Sequence, residues 1–220
     1  MTEHVNDDRP RGLPRPVVAA FLVAVLAVGA LLGALFARQP ALAVPAESSV
    51  DVGFARDMQA HHAQAVDMAV LIRDRSTDEE VRTVALDILL TQQNQIGQMS
   101  GWLSTWGLPA AGSAAPMAWM TGDEGHKHAA ATSGSYADMP GWVSSDDLAR
   151  LTAAEGVEAD RLFLQLMIPH HEGGVEMAQY AAERARMPQV VDLARGIVSF
   201  QQKELTALQD MLDARGGPVD

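Results

Sequence analysis

The segment Phe163-Leu-Gln-Leu-Met-Ile-Pro-His-His-Glu-Gly-Gly-Val-Glu-Met-Ala178 has the pattern of Phe54-Ala-Arg-Asp-Met-Gln-Ala-His-His-Ala-Gln-Ala-Val-Asp-Met-Ala69, which lies 109 residues earlier. The repeat extends without a gap over residues 51–103 and 160–212, and 15 of the 53 aligned positions are identical. Matches between apolar residues require only shared packing. Packing does not explain the matches between polar residues and methionines, which are Asp51/Asp160, Met58/Met167, His61/His170, His62/His171, Met68/Met177, Gln92/Gln201 and Gln93/Gln202.

The first copy of the repeat predicts a helical hairpin. Apolar residues recur at helical spacing from residue 51 onward, with Ser48 as the expected N-cap. Thr77 and Glu80 form a capping-box pattern that predicts the start of the second helix, and Gly107 predicts its end.

The second copy predicts another hairpin. A short helical signal begins at Ser144, and longer helices are expected over residues 157–186 and 189–215. Two hairpins supply four main helices, whose apolar stripes are buried most simply in a bundle. We therefore expect an all-α fold, with a four-helix bundle over residues 48–215.

The paired histidines are expected to face the core of this bundle. With Met167 at zero on a helix of about 100° per residue, His170 lies at about −60° and His171 at about +40°. Met177 lies at the edge of the same arc, at about −80°. Four buried imidazoles are costly unless their nitrogens are satisfied, by a metal ion or by a polar structural network. We favour the metal ion, because packing does not explain a doubled His-His pair flanked by methionines.

The types of ligand narrow the choice of metal. The candidate ligands are His61, His62, His170, His171, Met58, Met68, Met167 and Met177. Imidazole with thioether and no thiolate suits copper, and Cu(I) or Ag(I) where methionine takes part. A di-iron site would need Glu-x-x-His motifs and a zinc protease would need His-Glu-x-x-His, and the sequence contains neither.

Composition excludes other classes of function. The chain of 220 residues contains no cysteine, so disulfides and thiolate metal sites are excluded. Its net charge of −12 argues against a nucleic-acid partner, because no basic patch is available to neutralise phosphates.

The N-terminal region predicts a membrane segment. Three arginines within residues 1–16 precede an uncharged stretch over residues 17–37, which is long enough to cross a bilayer. The arginines predict a cytoplasmic N-terminus, a single span and an extracytoplasmic C-terminal domain that follows a linker at residues 38–47. The alternative is a secreted protein, cleaved at Ala41-Leu-Ala43, which has the small-x-small pattern of a signal-peptide site.

A long loop is expected over residues 108–143, since the segment is rich in Gly, Ala and Ser and has no sustained period. Its polar and methionine residues form a second, weaker set of candidate metal ligands. The alternative is that the loop is a solvated linker without a metal site. That set is Met117, Met120, Asp123, Glu124, His126, His128 and Met139.

At these motifs the sequence resembles the domain-of-unknown-function 305 family. The likeness covers residues 48–212 and includes the doubled His-His-x5-Met-Ala motif, the run Gln201-Gln-x-Glu-Leu205 and Met139-Pro-Gly141. The resemblance implies a ferritin-like four-helix bundle, exported or anchored in a membrane, and some family members bind copper or silver in metal tolerance. In methionine-rich members the run continues as Met-Pro-Gly-Met, whereas this chain has Trp142 at the last position. This difference weakens the case for high-capacity copper storage more than the case for a metal site in the core.

Three functions remain open at this point. The favoured one is copper or silver binding by a membrane-anchored, extracytoplasmic bundle without catalysis, in metal tolerance or homeostasis. The second is a redox metalloenzyme with the same core, and the third is a structural or partner-binding module without metal.

Overall fold

The computed structural model describes residues 14–37, 44–120 and 134–219. This part of the chain contains six α-helices and no strand, which confirms the expected all-α fold. The helices are α1 (Arg15–Ala37), α2 (Val50–Arg75), α3 (Glu79–Thr105), α4 (Ser145–Ala153), α5 (Gly156–Arg184) and α6 (Pro188–Ala214). Two short 3-10 helices, Ala118–Met120 and Tyr136–Asp138, lie between α3 and α4.

The chain divides into two compact units, Met1–Ala43 and Val44–Asp220. The first contains α1, in which Pro16–Ala34 has a mean hydropathy of 2.7 and contains no buried residue. This helix is long and apolar enough to cross a membrane, and a signal sequence near an N-terminus has the same properties.

The second unit is built from two helical hairpins, α2–α3 and α5–α6. The carboxylate of Asp51, at the start of α2, accepts hydrogen bonds from the backbone amides of Arg186 (3.0 Å) and Met187 (2.7 Å). Met187 is the N-cap of α6 and makes no side-chain cap of its own, and Asp51 instead binds the two backbone amides just ahead of the helix. The start of α2 therefore lies at the end of α5, and the two helices run antiparallel.

Two helix starts differ from those expected. Ser49 rather than Ser48 caps α2, with its hydroxyl accepting from the amide of Val52 at 3.3 Å. Asp78 rather than Thr77 caps α3 and accepts from the amides of Glu80 and Val81. The carboxylate of Asp78 also receives the guanidinium of Arg215 at 2.6 Å, which lowers the pKa of Asp78. The residue that caps α3 is thus also the one that binds Arg215, near the C-terminal end of the chain.

The core of the bundle has two apolar clusters, one towards each end of α2 and α5. The Met58–Met177 cluster includes Phe54, Met99 and Ile197, and the Met68–Met167 cluster includes Ile72, Phe163 and Leu164. Along both α2 and α5 the paired histidines lie between the methionine of one cluster and that of the other. The bundle therefore carries its polar residues in the middle of an apolar core.

The chain leaving each hairpin folds back on the first helix of that hairpin. After α3, the guanidinium of Arg56 donates to the carbonyl of Pro109 at 3.0 and 3.2 Å. After α6, the amide side chain of Gln165 donates to the carbonyl of Val219 at 3.2 Å and accepts from its amide at 2.7 Å. Arg56 and Gln165 are 109 residues apart, so the duplication continues beyond the helices.

Candidate metal centre

Four histidines meet at the centre of the bundle, as their repeated pattern predicted. The side chains of His61, His62, His170 and His171 are all fully buried. The rings of His61 and His170 lie face to face, with centroids 3.9 Å apart and planes inclined at 31°. The two histidines of each pair, His61 with His62 and His170 with His171, have ring centroids 6.4 Å apart.

The second histidine of each pair is held by the second helix of its own hairpin. His62 Nε2 lies 2.7 Å from the side-chain oxygen of Gln95 on α3. His171 Nε2 lies 3.0 Å from the carboxylate of Glu204 on α6. Gln95 and Glu204 occupy equivalent positions of the repeat, 109 residues apart. The two hairpins therefore use the same contact, with a neutral acceptor in one and an anionic acceptor in the other.

A segment of the loop between the hairpins, residues 139–143, crosses the histidines, and we call it the strap. The carbonyl of Pro140 accepts a hydrogen bond from His61 Nε2 at 3.1 Å. Gln64 fixes the other end of the strap, because its side chain donates to the carbonyl of Val143 and accepts from its amide, both at 2.9 Å. Within the described residues the ring of His170 makes no equivalent hydrogen bond to the strap, so the two copies of the motif differ here.

The glycines of the second motif make room for protein atoms. A Cβ on Gly173 would overlap the carbonyl of Pro140, and a Cβ on Gly141 would overlap the carbonyl of Pro169. Gly141 also has a φ of +72°, which favours glycine. A Cβ on Gly174 would press against the side chain of Gln201 and lie 3.3 Å from His61 Cε1. The strap occupies the space next to Gly173, so this space is not left for an ion or for a neighbouring helix.

Burial lowers the pKa of His61, His62 and His170. Loss of solvent lowers the pKa of His61 from 6.5 to about 4, although the Pro140 carbonyl acts in the opposite direction. It lowers the pKa of His62 from 6.5 to about 3, with His61 adding to the effect. The pKa of His170 falls well below 6.5 because of burial and then of the neighbouring His61 and His171. Neutral imidazole is the form that binds metal ions.

Several nitrogens and amides of this centre lack partners within the described residues. Nδ1 of all four histidines is buried without a hydrogen bond, and so is Nε2 of His170. Gln92 and Gln201, another pair kept by the duplication, have unpartnered amide oxygens and nitrogens and are 2% and 3% exposed. Buried polar atoms without partners are costly, so this donor set fits a bound ion that would satisfy them.

The described ranges contain no ready-made cluster of three or more His, Asp or Glu that could hold an ion. The stacked rings of His61 and His170 present their faces, rather than their nitrogens, to each other. The four methionines of the repeated motifs are fully buried, but they lie in the two apolar clusters on either side of the histidines. Met68 and Met177 were expected at the edges of their helix faces and are as deeply buried as Met58 and Met167.

The loop contributes packing as well as the strap. The carboxylate of Asp57 accepts from the amide of Met117 at 2.6 Å and from Trp119 Nε1 at 2.8 Å, and burial raises the pKa of this carboxyl. Trp119 packs edge-on against Phe54 and Tyr180, with centroids 5.9 and 5.6 Å away. Met139 is buried and Met120 is partly buried. The other candidate loop ligands, Asp123, Glu124, His126 and His128, lie outside the described residues.

Sequence reasoning missed four groups that contact or shape the centre, namely Gln95, Glu204, Gln64 and the carbonyl of Pro140. The repeat contained a signal for two of them, because Gln95 aligns with Glu204 at an otherwise unremarked position. The strap has no counterpart in the duplication, so no comparison between the two copies could reveal it.

The fold and the site together define a class of all-helical proteins in which a duplicated hairpin encloses paired histidines. The chain belongs to the family described as domain of unknown function (DUF305), whose model matches residues 51–212. This match confirms the resemblance that the motifs indicated.

Proteins of known structure share this helical arrangement. A DUF305 protein from Streptomyces coelicolor is 42% identical with a TM-score of 0.70, over 80% of this chain and 99% of that one. A DUF305 fragment from Deinococcus radiodurans is 34% identical with a TM-score of 0.61, over 75% and 96% of the two chains. CopM in its Cu(I)-bound form is 24% identical with a TM-score of 0.57, over 76% and 98%, and at this identity the likeness shows the fold alone.

A shorter match is found to the uncharacterized protein L153 of Acanthamoeba polyphaga mimivirus. It is 34% identical over 56 residues, or 26% of this chain. The match spans 37% of the length of the mimivirus protein, so the two proteins are compared over one segment only.

Proposed function

We propose that the protein binds copper-type ions, Cu(I) foremost and Ag(I) as well, at the four histidines in the centre of the bundle. The observation that carries the proposal is the set of four buried imidazoles, each with at least one nitrogen that has no partner in the described residues. A purely structural network would be expected to satisfy all of these nitrogens with protein groups. In the described residues, protein groups bond only Nε2 of His61, His62 and His171. A bound ion would accept the free lone pairs.

The surroundings of the histidines support a monovalent soft ion. The methionines at both ends of the histidine layer offer thioethers, which suit Cu(I) and Ag(I) and add little for zinc. CopM, which shares the fold, has been seen in Cu(I)-bound, Cu(II)-bound and Ag-bound forms. The ligands proposed for this chain are His61, His62, His170 and His171, with Met58, Met68, Met167 and Met177 as the thioether donors.

Competition for Cu(I) tests this proposal. The full chain in detergent is titrated against a coloured Cu(I) chelator, beside a variant in which all four histidines are glutamine. Glu172→Gln is the matched control, since Glu172 is exposed and adjoins His171 in sequence. We expect the wild type and the control to take Cu(I) from the chelator and the four-histidine variant to lose this ability. Equal, weak competition by all three would contradict metal binding at the histidines.

Thermal unfolding supplies an independent measure. An ion at 100 times its dissociation constant stabilises the native state by about 2.7 kcal/mol, so the midpoint of unfolding should rise with Cu(I) or Ag(I). No shift with either ion would favour the structural module, and steady consumption of oxygen or peroxide by the copper-loaded protein would favour the redox enzyme.

We also propose that α1 anchors the protein in a membrane, with the bundle outside the cytoplasm. The apolar span at Pro16–Ala34 and the arginines ahead of it support this topology. N-terminal sequencing of the mature protein distinguishes a retained anchor from cleavage after Ala43, and protease treatment of intact cells reports the side on which the bundle lies.

A further inference from the structure

Three of the four histidines are bonded on the same side of the ring. His61 reaches the carbonyl of Pro140, His62 the side-chain oxygen of Gln95, and His171 the carboxylate of Glu204, each through Nε2. Nδ1 of all three is buried and has no partner within the described chain. The three partners come from three separate elements, which are the strap, α3 and α6.

The chemistry of the partners decides which nitrogen carries the hydrogen. A carbonyl oxygen only accepts hydrogen bonds, so the ring of His61 must donate from Nε2 to Pro140. The side-chain oxygen of Glu204 likewise acts as the acceptor, so His171 donates from Nε2 to Glu204. In the neutral form that binds metal, an imidazole has one N–H and one lone pair, so the lone pair of each of these rings is then on Nδ1. Gln95 presents its oxygen to His62 and gives that ring the same tautomer.

We infer, on the basis of the metal-binding function proposed above, that His61, His62 and His171 each offer Nδ1, and not Nε2, to a bound ion. Gln95, Glu204 and the Pro140 carbonyl are then positioning groups, which hold the three rings in the Nε2–H tautomer. Both ring nitrogens of His170 are unpartnered in the described residues. No contact therefore fixes which of them would bind the ion.

The two hairpins differ in the strength of this positioning. A carboxylate partner makes a histidine ligand more basic than an amide partner does, and the loss of such partners typically lowers metal affinity about 10- to 100-fold. Glu204 therefore makes His171 the stronger donor of the equivalent pair His62 and His171. Glu204→Gln keeps an acceptor oxygen but removes the charge, whereas Glu204→Ala removes both.

Nitrogen-15 NMR of the histidine rings tests the tautomers directly. The full chain in detergent micelles is labelled at its histidines and observed first without metal and then with Ag(I), which is diamagnetic. We expect the Nε2–H tautomer for His61 and His171 in the metal-free protein, and a shift of the Nδ1 resonances when Ag(I) is added. An Nδ1–H tautomer without metal, or a metal-induced shift confined to Nε2, would overturn the assignment.

The metal-free spectra separate this inference from the proposed function. If Ag(I) changes no histidine resonance while the Nε2–H tautomers are observed, metal binding fails and the positioning contacts stand. If Ag(I) binds while His61 and His171 show Nδ1–H in the metal-free protein, metal binding stands and the assignment of Nδ1 fails.

Variants of the acceptors give the second readout. Glu204→Ala should lower Cu(I) affinity about 10- to 100-fold and produce a mixture of tautomers at His171. Glu204→Gln should retain the Nε2–H tautomer and lose part of the affinity, and Glu172→Gln should change neither. Unaltered tautomers and affinity in folded Glu204→Ala would refute a positioning role for Glu204.

Discussion

The ring of His61 lies on the ring of His170, with 3.9 Å between their centroids, and these two residues occupy the same position in the two copies of the repeat. An internal two-fold relationship between the hairpins therefore passes through the histidine layer. The two stacked rings make only one hydrogen bond between them in the described residues. His61 Nε2 bonds the carbonyl of Pro140, and neither ring nitrogen of His170 has a hydrogen-bond partner.

His170→Leu is expected to leave the metal-free protein as stable as the wild type, or more stable by about 1 kcal/mol. A buried polar group without a partner costs about 1–3 kcal/mol, and the substitution removes two such nitrogens. His171→Leu is the matched comparison and should be destabilising, because it leaves Glu204 without its partner. Urea denaturation without metal measures both. A loss of several kcal/mol in His170→Leu alone would mean that its nitrogens are satisfied in the native state.

Acid should destabilise the metal-free bundle in a defined window of pH. The pKa of His61 is about 4 and that of His62 about 3 in the folded chain, against 6.5 for an ordinary histidine. As the pH falls below 6.5 the unfolded chain takes up protons and the native state does not, so stability is lost down to pH about 4 for His61 and about 3 for His62. The slope approaches about 1.4 kcal/mol per pH unit for each histidine.

Urea midpoints between pH 7 and 4 measure this slope, and a His61→Gln/His62→Gln variant should show a flatter profile. Above pH about 6.5 both rings are neutral in the folded and the unfolded chain, so this source of pH dependence vanishes there. Equal slopes in the variant and the wild type would assign the acid sensitivity to other groups.

Replacing Met58 and Met177 by leucine separates a ligand role from packing. Both side chains are fully buried in one cluster, and exchange of methionine for leucine costs less than about 1.5 kcal/mol in most cores. We expect weaker binding of Cu(I) and Ag(I), with binding of Zn(II) unchanged. Met99→Leu, in the same cluster but outside the repeated motif, should alter none of the three affinities, and an equal loss in this control would point to repacking.

Gly173→Ala should displace the strap. The new Cβ would overlap the carbonyl of Pro140, and forced overpacking of this kind costs about 1–3 kcal/mol. Gly97→Ala is the control, because Gly97 lies within α3 with no atom close to its added Cβ and should gain roughly 0.5–1 kcal/mol. Hydrogen exchange at the amide of Val143, which bonds Gln64, reports whether the strap has moved. Unchanged protection there would show that the close approach at Gly173 is not needed.

The periodicity of the repeat predicted the helices and the inward faces well, because hydrophobic spacing is a local property. It also placed His61, His62, His170 and His171 on faces that point into the core, since they share an arc of the helix with the apolar residues. The cap of α3 was predicted at Thr77 but is Asp78, whose carboxylate also binds Arg215 from the end of α6. Local capping patterns carry no information about a contact between residues so far apart in the chain.

The strap was beyond prediction for a related reason. Residues 139–143 have no helical period, and their position depends on one hydrogen bond to His61 and two to Gln64. The missing side chain at Gly173 leaves room for a close approach but does not identify the group that approaches. The partner of His171 is a different case, because the alignment of Glu204 with Gln95 could have suggested that both accept a bond from the second histidine.

The strap contacts equivalent positions of both hairpins, Gln64 in one and Gly173 in the other, and so crosses the internal two-fold relationship. A homodimer of a single hairpin could assemble the same four histidines, but a segment lying on its symmetry axis would collide with its own copy. Joining the hairpins in one chain removes that restriction, because only one such segment exists. Gene fusion would thus have freed the two halves to diverge, so that the His61 ring bonds the strap while the equivalent His170 ring does not.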